Sequence, residues 1–218
     1  MKTIRFGLIG CGLMAREFAS AAARWCHFTG DIPRPEIVGI CSVLPQEMEW
    51  FHKNFPDIKY SVSDYKELLD KEDIDAIYCA VPHNLHEQFY IDIIKSGKAL
   101  LGEKPFGIDK KANDAIMQAY RETPGAFVRC SSEFPFYPAM QTMINWYNEG
   151  KFGKILEIHA GFNHCSDCDV NKPINWKRMV KFNGEYGCLG DLGIHTQHVP
   201  FRLGFFPKTV TAHFSNIV

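Results

Sequence analysis

The chain lacks an excess of charge of either sign: 24 Lys and Arg stand against 25 Asp and Glu. No basic run is long enough to follow a phosphate backbone, so nucleic acid is not an expected partner. Long apolar runs are missing too. The opening Met-Lys-Thr-Ile-Arg-Phe-Gly-Leu-Ile-Gly is interrupted by Arg5 and is too short for a signal-peptide core or a membrane span, so a cytoplasmic address with no membrane partner is expected. There is no internal repeat and no low-complexity segment. The eight cysteines form no regular framework; Cys41 and Cys79 fall inside apolar runs, which suits reduced, buried thiols. Cys165-Ser166-Asp167-Cys168, flanked by His164 and Asp169, lacks the second ligand pair of a convincing zinc site, and no metal is expected.

What the sequence does contain is an ordinary globular balance, 46% hydrophobic and 22% charged over 218 residues. That length accommodates one large domain, or one domain of about 120 to 130 residues and a smaller piece. The first part alternates β-branched runs with amphipathic segments, which predicts βαβ units around a parallel sheet. Strands are expected at 3–9, 36–41, 58–61, 74–81, 99–101 and 126–131, and helices at 14–24, 46–54, 64–71, 85–96 and 110–121. Ser63 is the expected N-cap of the third helix, and Gly97 the left-handed residue that ends the fourth. From Pro138 the pattern changes to a helix over 138–148, an alternating strand over 154–163, a polar loop, a short helix over about 193–203 and a strand over 209–217. Phe201, Phe205 and Phe206 are expected to pack as core or as a subunit contact.

Gly10-Cys11-Gly12-Leu13-Met14-Ala15 directly follows the first strand and opens a helix. In a dinucleotide fold the first glycine makes the tight turn, the second admits a diphosphate to the backbone, and the small third residue packs helix on strand. Gly10, Gly12, Leu13 and Met14 are therefore the expected diphosphate contacts. The second strand ends Ile40-Cys41-Ser42, leaving a hydroxyl where a carboxylate would select NAD, so NAD and NADP both stay open. At the end of the fifth strand stands Glu103-Lys104-Pro105. This is the edge where ligands collect in open α/β sheets; there a lysine orients a hydroxyl and favours its deprotonated form, or is simply a surface lysine in a turn.

Four segments in the same order resemble the glucose-fructose oxidoreductase and inositol dehydrogenase family (Gfo/Idh/MocA). They are the glycine motif, Val81-Pro82-His83-Asn84-Leu85-His86, Gly102-Glu103-Lys104-Pro105, and Gly187-Cys188-Leu189-Gly190-Asp191-Leu192-Gly193-Ile194-His195. The resemblance implies a doubly wound Rossmann domain over 1–131 and, over 132–218, part of an α+β substrate-binding and dimerisation domain with an antiparallel sheet. It also implies NAD or NADP as cofactor, a sugar or polyol substrate, and a homo-oligomer. Lys104, Asp191 and His195 would be the catalytic set: His195 takes the hydroxyl proton, while Asp191 holds the hydroxyl and orients the imidazole. The alternative reading of Asp191 and His195 is a helix cap and a structural histidine.

Val81, Pro82, His83, His86, Glu103 and Lys104 would line the cofactor pocket with Ser42, and Trp176 would close over the ring. His86 reads equally well as a residue at a helix start. Where many relatives have an arginine before an aromatic and a proline, this chain has Phe134-Pro135-Phe136-Tyr137-Pro138. Two rival functions share these motifs: a relative in which transient oxidation enables elimination or glycoside cleavage, and a non-catalytic dinucleotide-binding module. With only two strands of the second sheet expected, self-association, or poor solubility of the second part, is also expected.

Overall fold

The computed structural model describes residues 2–165, 168–169 and 171–215. The chain divides into two compact units, Met1–Ser131 and Ser132–Val218.

In the first unit strands and helices alternate: β1 (Thr3–Ile9), α1 (Leu13–Ala23), β2 (Arg34–Cys41), α2 (Pro45–Asn54), β3 (Tyr60–Val62), α3 (Lys66–Leu69), β4 (Ala76–Cys79), α4 (His86–Lys95), β5 (Ala99–Glu103), α5 (Lys110–Glu122) and β6 (Val128–Ser131). All strand pairs are parallel, in the order β3-β2-β1-β4-β5-β6. This is the doubly wound arrangement, and its order reverses between β1 and β4. Helices cover both faces, so strand residues are buried alternately on each side. Leu8, Ile37, Ile40 and Tyr78 pack with Ala15, Ala19 and Phe51 of α1 and α2. Ile9, Val38, Ile77 and Leu100 pack with Leu68, Ile93, Ile94 and Ile116 of α3, α4 and α5.

Start and stop signals explain most element boundaries. Pro45 occupies the first turn of α2, and the Asp109 carboxylate accepts the Ala112 N–H at 2.7 Å to cap α5. Gly97 has φ +80° after α4. Ser63 is not the cap of α3: that helix starts at Lys66, and the Asp64 side chain accepts the Lys66 N–H at 3.0 Å. The shift follows from Asp64 bonding two residues ahead, an Asx turn that delays the helix.

The second unit contains α6 (Pro138–Asn148), α7 (Val180–Asn183) and α8 (Ile194–Arg202), with a five-residue π-helical segment, Leu189–Gly193, leading into α8. The strands expected at 154–163 and 209–217 are not formed among the described residues; 216 and 217 lie outside them. Alternation marks a surface able to be half-buried, whereas a strand also needs a neighbour for its N–H and C=O groups. Leu156 is 87% and Val210 78% exposed, so neither apolar face is buried as alternation implied. Ser166 and Asp167 of the C-x-x-C segment also lie outside the described residues, which contain no group of three or more potential metal ligands. No helix among them is long and apolar enough to cross a membrane.

Candidate active site

The reversal between β1 and β4 places the glycine turn between two strand ends, and backbone bonds fasten it there. The Gly10 N–H donates to Cys41 O at 2.9 Å, at the end of β2, and the Ala80 N–H donates to Ile9 O at 2.8 Å, just beyond β4. Gly10 has φ +87°, and a Cβ there would lie 2.4 Å from Ala80 O, so no other residue fits. Gly12 is the opposite case: a Cβ would meet nothing within 4 Å, and the open space lies at the first amides of α1. That helix has no side-chain cap and no acidic residue in its first turn. Its start therefore suits an anion supplied from outside, and the turn fits a diphosphate. Leu13 is exposed and Met14 partly so beside it.

The loops after β4 and β5 form one piece. His86, with no exposed surface, places Nδ1 2.7 Å from Pro105 O and Nε2 3.0 Å from Val81 O, joining the two loops. Burial outweighs the carbonyl oxygens and lowers its pKa to about 4, so the ring is neutral near pH 7. A neutral ring donates through one nitrogen, and the shorter contact assigns the proton to Nδ1. His83 is buried with its ring centre 5.3 Å from that of His86, while Val81 and Pro82 are half-buried.

Glu103 is a buried carboxylate held from two strands. Tyr78 donates to its Oε1 at 2.7 Å, the Lys104 N–H donates to Oε2 at 3.2 Å, and Tyr90 donates to the Glu103 carbonyl at 2.7 Å. Burial and then the Glu103 charge push the Tyr78 hydroxyl well above its ordinary range, which keeps it a donor. Tyr78 also stacks on Phe18 of α1, with ring centres 4.5 Å apart, and its hydroxyl lies 3.4 Å from Met14 O. Tyr78 thus meets α1 through its ring on Phe18 and the Lys104 end of β5 through its one hydroxyl proton on Glu103. Lys104, half-buried, precedes a cis peptide to Pro105.

In the second unit Asp191, only 1% exposed, lies in the π-helical segment and accepts from Arg178 at 3.1 Å, with Lys177 Nζ at 3.8 Å. Trp176 begins the same short turn, Trp176–Arg178. His195, on the first turn of α8, packs its ring against Phe134 and Phe162 at centre distances of 4.5 and 5.1 Å. The sequence therefore marked Asp191 and His195 but not the cations beside the carboxylate, although Lys177-Arg178 follows Trp176 directly.

The profile of GFO_IDH_MocA, an oxidoreductase family with an NAD-binding Rossmann fold, matches residues 4–129, more than half of the chain. The chain belongs to this family. Within it, the sequence is similar to levoglucosan dehydrogenase of Pseudarthrobacter phenanthrenivorans, 24% identical over 195 residues, covering 89% of this chain and 50% of that protein. It is 27% identical to glycosyl hydrolase family 109 protein 1 of Phocaeicola vulgatus, covering 97% of this chain and 46% of that one. Mouse trans-1,2-dihydrobenzene-1,2-diol dehydrogenase is 26% identical, with 88% of this chain and 54% of the enzyme covered.

Among solved structures, levoglucosan dehydrogenase in complex with NADH superposes with a TM-score of 0.83 at 25% identity, over 93% of this chain and 54% of that one. An NAD-binding oxidoreductase from Klebsiella pneumoniae gives 0.83 at 26%, with the same coverage. The chain spans about half the length of the curated relatives it matches. The matched NAD-binding domain contains the glycine turn and the open, uncapped start of α1.

Proposed function

We propose that the protein is an NAD(P)-dependent oxidoreductase that transfers a hydride between a hydroxyl-bearing carbon of a sugar or polyol and nicotinamide. The observation that carries this reading is the uncapped start of α1, open at Gly12, on the strand edge that also presents Lys104. Gly10, Gly12, Leu13 and Met14 hold the diphosphate, and Val81, Pro82 and His83 line the pocket beyond it. His86 and Glu103 act as positioning residues, since one has no exposed surface and the other only 6%. Bound NAD(P) supplies the hydride acceptor. The Lys104 ammonium favours the deprotonated form of the substrate hydroxyl, and His195 takes the proton. Asp191, held by Arg178, orients the hydroxyl, and Trp176 covers the apolar side of the ring. The activities in the names of the levoglucosan and dihydrodiol dehydrogenase relatives support the same class of chemistry.

One relative favours a second reading. The similarity to glycosyl hydrolase family 109 protein 1 extends over nearly the whole chain and fits a turnover in which oxidation is transient and the cofactor is regenerated. Nicotinamide absorbance and sugar consumption, followed together over a panel of sugars and polyols, separate the two. The dehydrogenase reading predicts one reduced cofactor per substrate consumed, and a drop in kcat/KM of about 100-fold or more for Lys104→Ala and for His195→Ala. Sugar consumption without reduced cofactor accumulating supports the second reading. Cofactor binding without turnover of any substrate contradicts both.

A further inference from the structure

The sequence leaves a serine where a dinucleotide fold commonly presents a ribose-binding carboxylate, and the structure shows what that serine does. The Ser42 hydroxyl donates to Glu47 Oε2 at 2.8 Å and accepts the Leu44 N–H at 3.1 Å. Its single proton is thus committed to a carboxylate five residues further on. Glu47 lies in the first turn of α2, where its backbone N–H donates to Leu44 O at 3.0 Å, and no other side-chain hydrogen bond or ion pair holds its second oxygen among the described residues.

We infer that Glu47, held by Ser42, is the carboxylate that receives the adenine-ribose hydroxyls and makes this site select NAD over NADP. The inference rests on the cofactor reading proposed above. Three observations support it independently. Glu47 lies close enough to the glycine turn for its charge to act on Cys11; that thiol is pushed up to about 12, first by burial, then by Cys41 and Glu47. Burial first, and then the charges of Asp64 and Glu67, raise the thiol of Cys41, the last residue of β2, so two further carboxylates act on this strand end. The residues that follow Ser42 offer no cation: Val43 is 80% and Leu44 46% exposed, an apolar rim suited to a base and not to a phosphate. The neighbouring Arg16 of α1 is engaged with Trp50, its guanidinium 5.9 Å from the ring centre. A 2′-phosphate would meet Glu47 as a like charge, whereas a 2′-hydroxyl donates to it.

Titration calorimetry of the full chain with NAD+ and with NADP+ tests this, in the wild type, Glu47→Gln, Glu47→Lys and Ser42→Ala. The wild type is expected to bind NAD+ at least about tenfold more tightly than NADP+, the scale of one hydrogen bond to a charged acceptor. Glu47→Gln keeps an acceptor for Ser42 but removes the charge, and brings the two affinities to within about threefold. Ser42→Ala moves the ratio in the same direction by less, and Glu47→Lys inverts it. Equal affinities in the wild type, or an unchanged ratio in both Glu47 variants, would overturn the assignment while leaving the cofactor site intact. Heat with neither dinucleotide would overturn the site and the assignment together.

Discussion

Gly102 occupies a position where one added carbon has no room. A Cβ there would lie 2.6 Å from Cζ of Tyr90, a fully buried ring whose hydroxyl is fixed on the Glu103 carbonyl. Gly102→Ala must displace that ring or the end of β5, and overpacking of this kind costs about 1–3 kcal/mol. Urea unfolding should show a lower midpoint at unchanged slope; an unaltered midpoint would mean that the tyrosine yields freely. The Gly-Glu-Lys-Pro segment was visible in the sequence, but this reason for its glycine was not, because the ring comes from α4, twelve residues earlier in the chain. The same holds for Ser42. Its hydroxyl read as a missing carboxylate until the structure placed Glu47 against it.

At the scale of elements, His86 joins the loops after β4 and β5, and it makes their attachment sensitive to acid. An unfolded histidine takes up its proton near 6.5, while the folded one does so only near 4. Between those values the unfolded chain binds more protons, so this contribution is fully present above about 6.5 and is lost as pH falls towards 4. The interval amounts to about 3 kcal/mol. Stability measured by urea unfolding between pH 7 and 4.5 should decline less steeply for His86→Gln than for the wild type; equal slopes would exclude the histidine as the source.

Elements were legible where two covered faces gave a strand a buried apolar stretch, as at the ends of β1 and β2 and throughout β4. They were not legible at 154–163, where alternation was present but no described strand takes up its hydrogen bonds. Nor did any local signal show that Asp64, and not Ser63, sets the start of α3.

For the whole molecule, the first unit carries its own two-sided core and every cofactor contact proposed before Trp176. The alternation of its elements narrows the order of its six strands, because parallel strands need crossovers and right-handed crossovers leave few arrangements. Ordering of the second unit was less legible, since among the described residues its long segments form no strands and Leu156, Val210 and Phe214 are exposed.

The proposed cofactor site rests a diphosphate on the opening of α1, and Gly12 isolates that contact. A Cβ at this position would point into open space and meet no protein atom within 4 Å, with the backbone at φ −74°, a value any residue adopts. Gly12→Val should therefore keep the wild-type unfolding midpoint yet bind NAD+ more weakly by about 100-fold or more in titration calorimetry, because the valine occupies the space of the ligand. Unchanged affinity in a normally folded Gly12→Val protein would contradict the account.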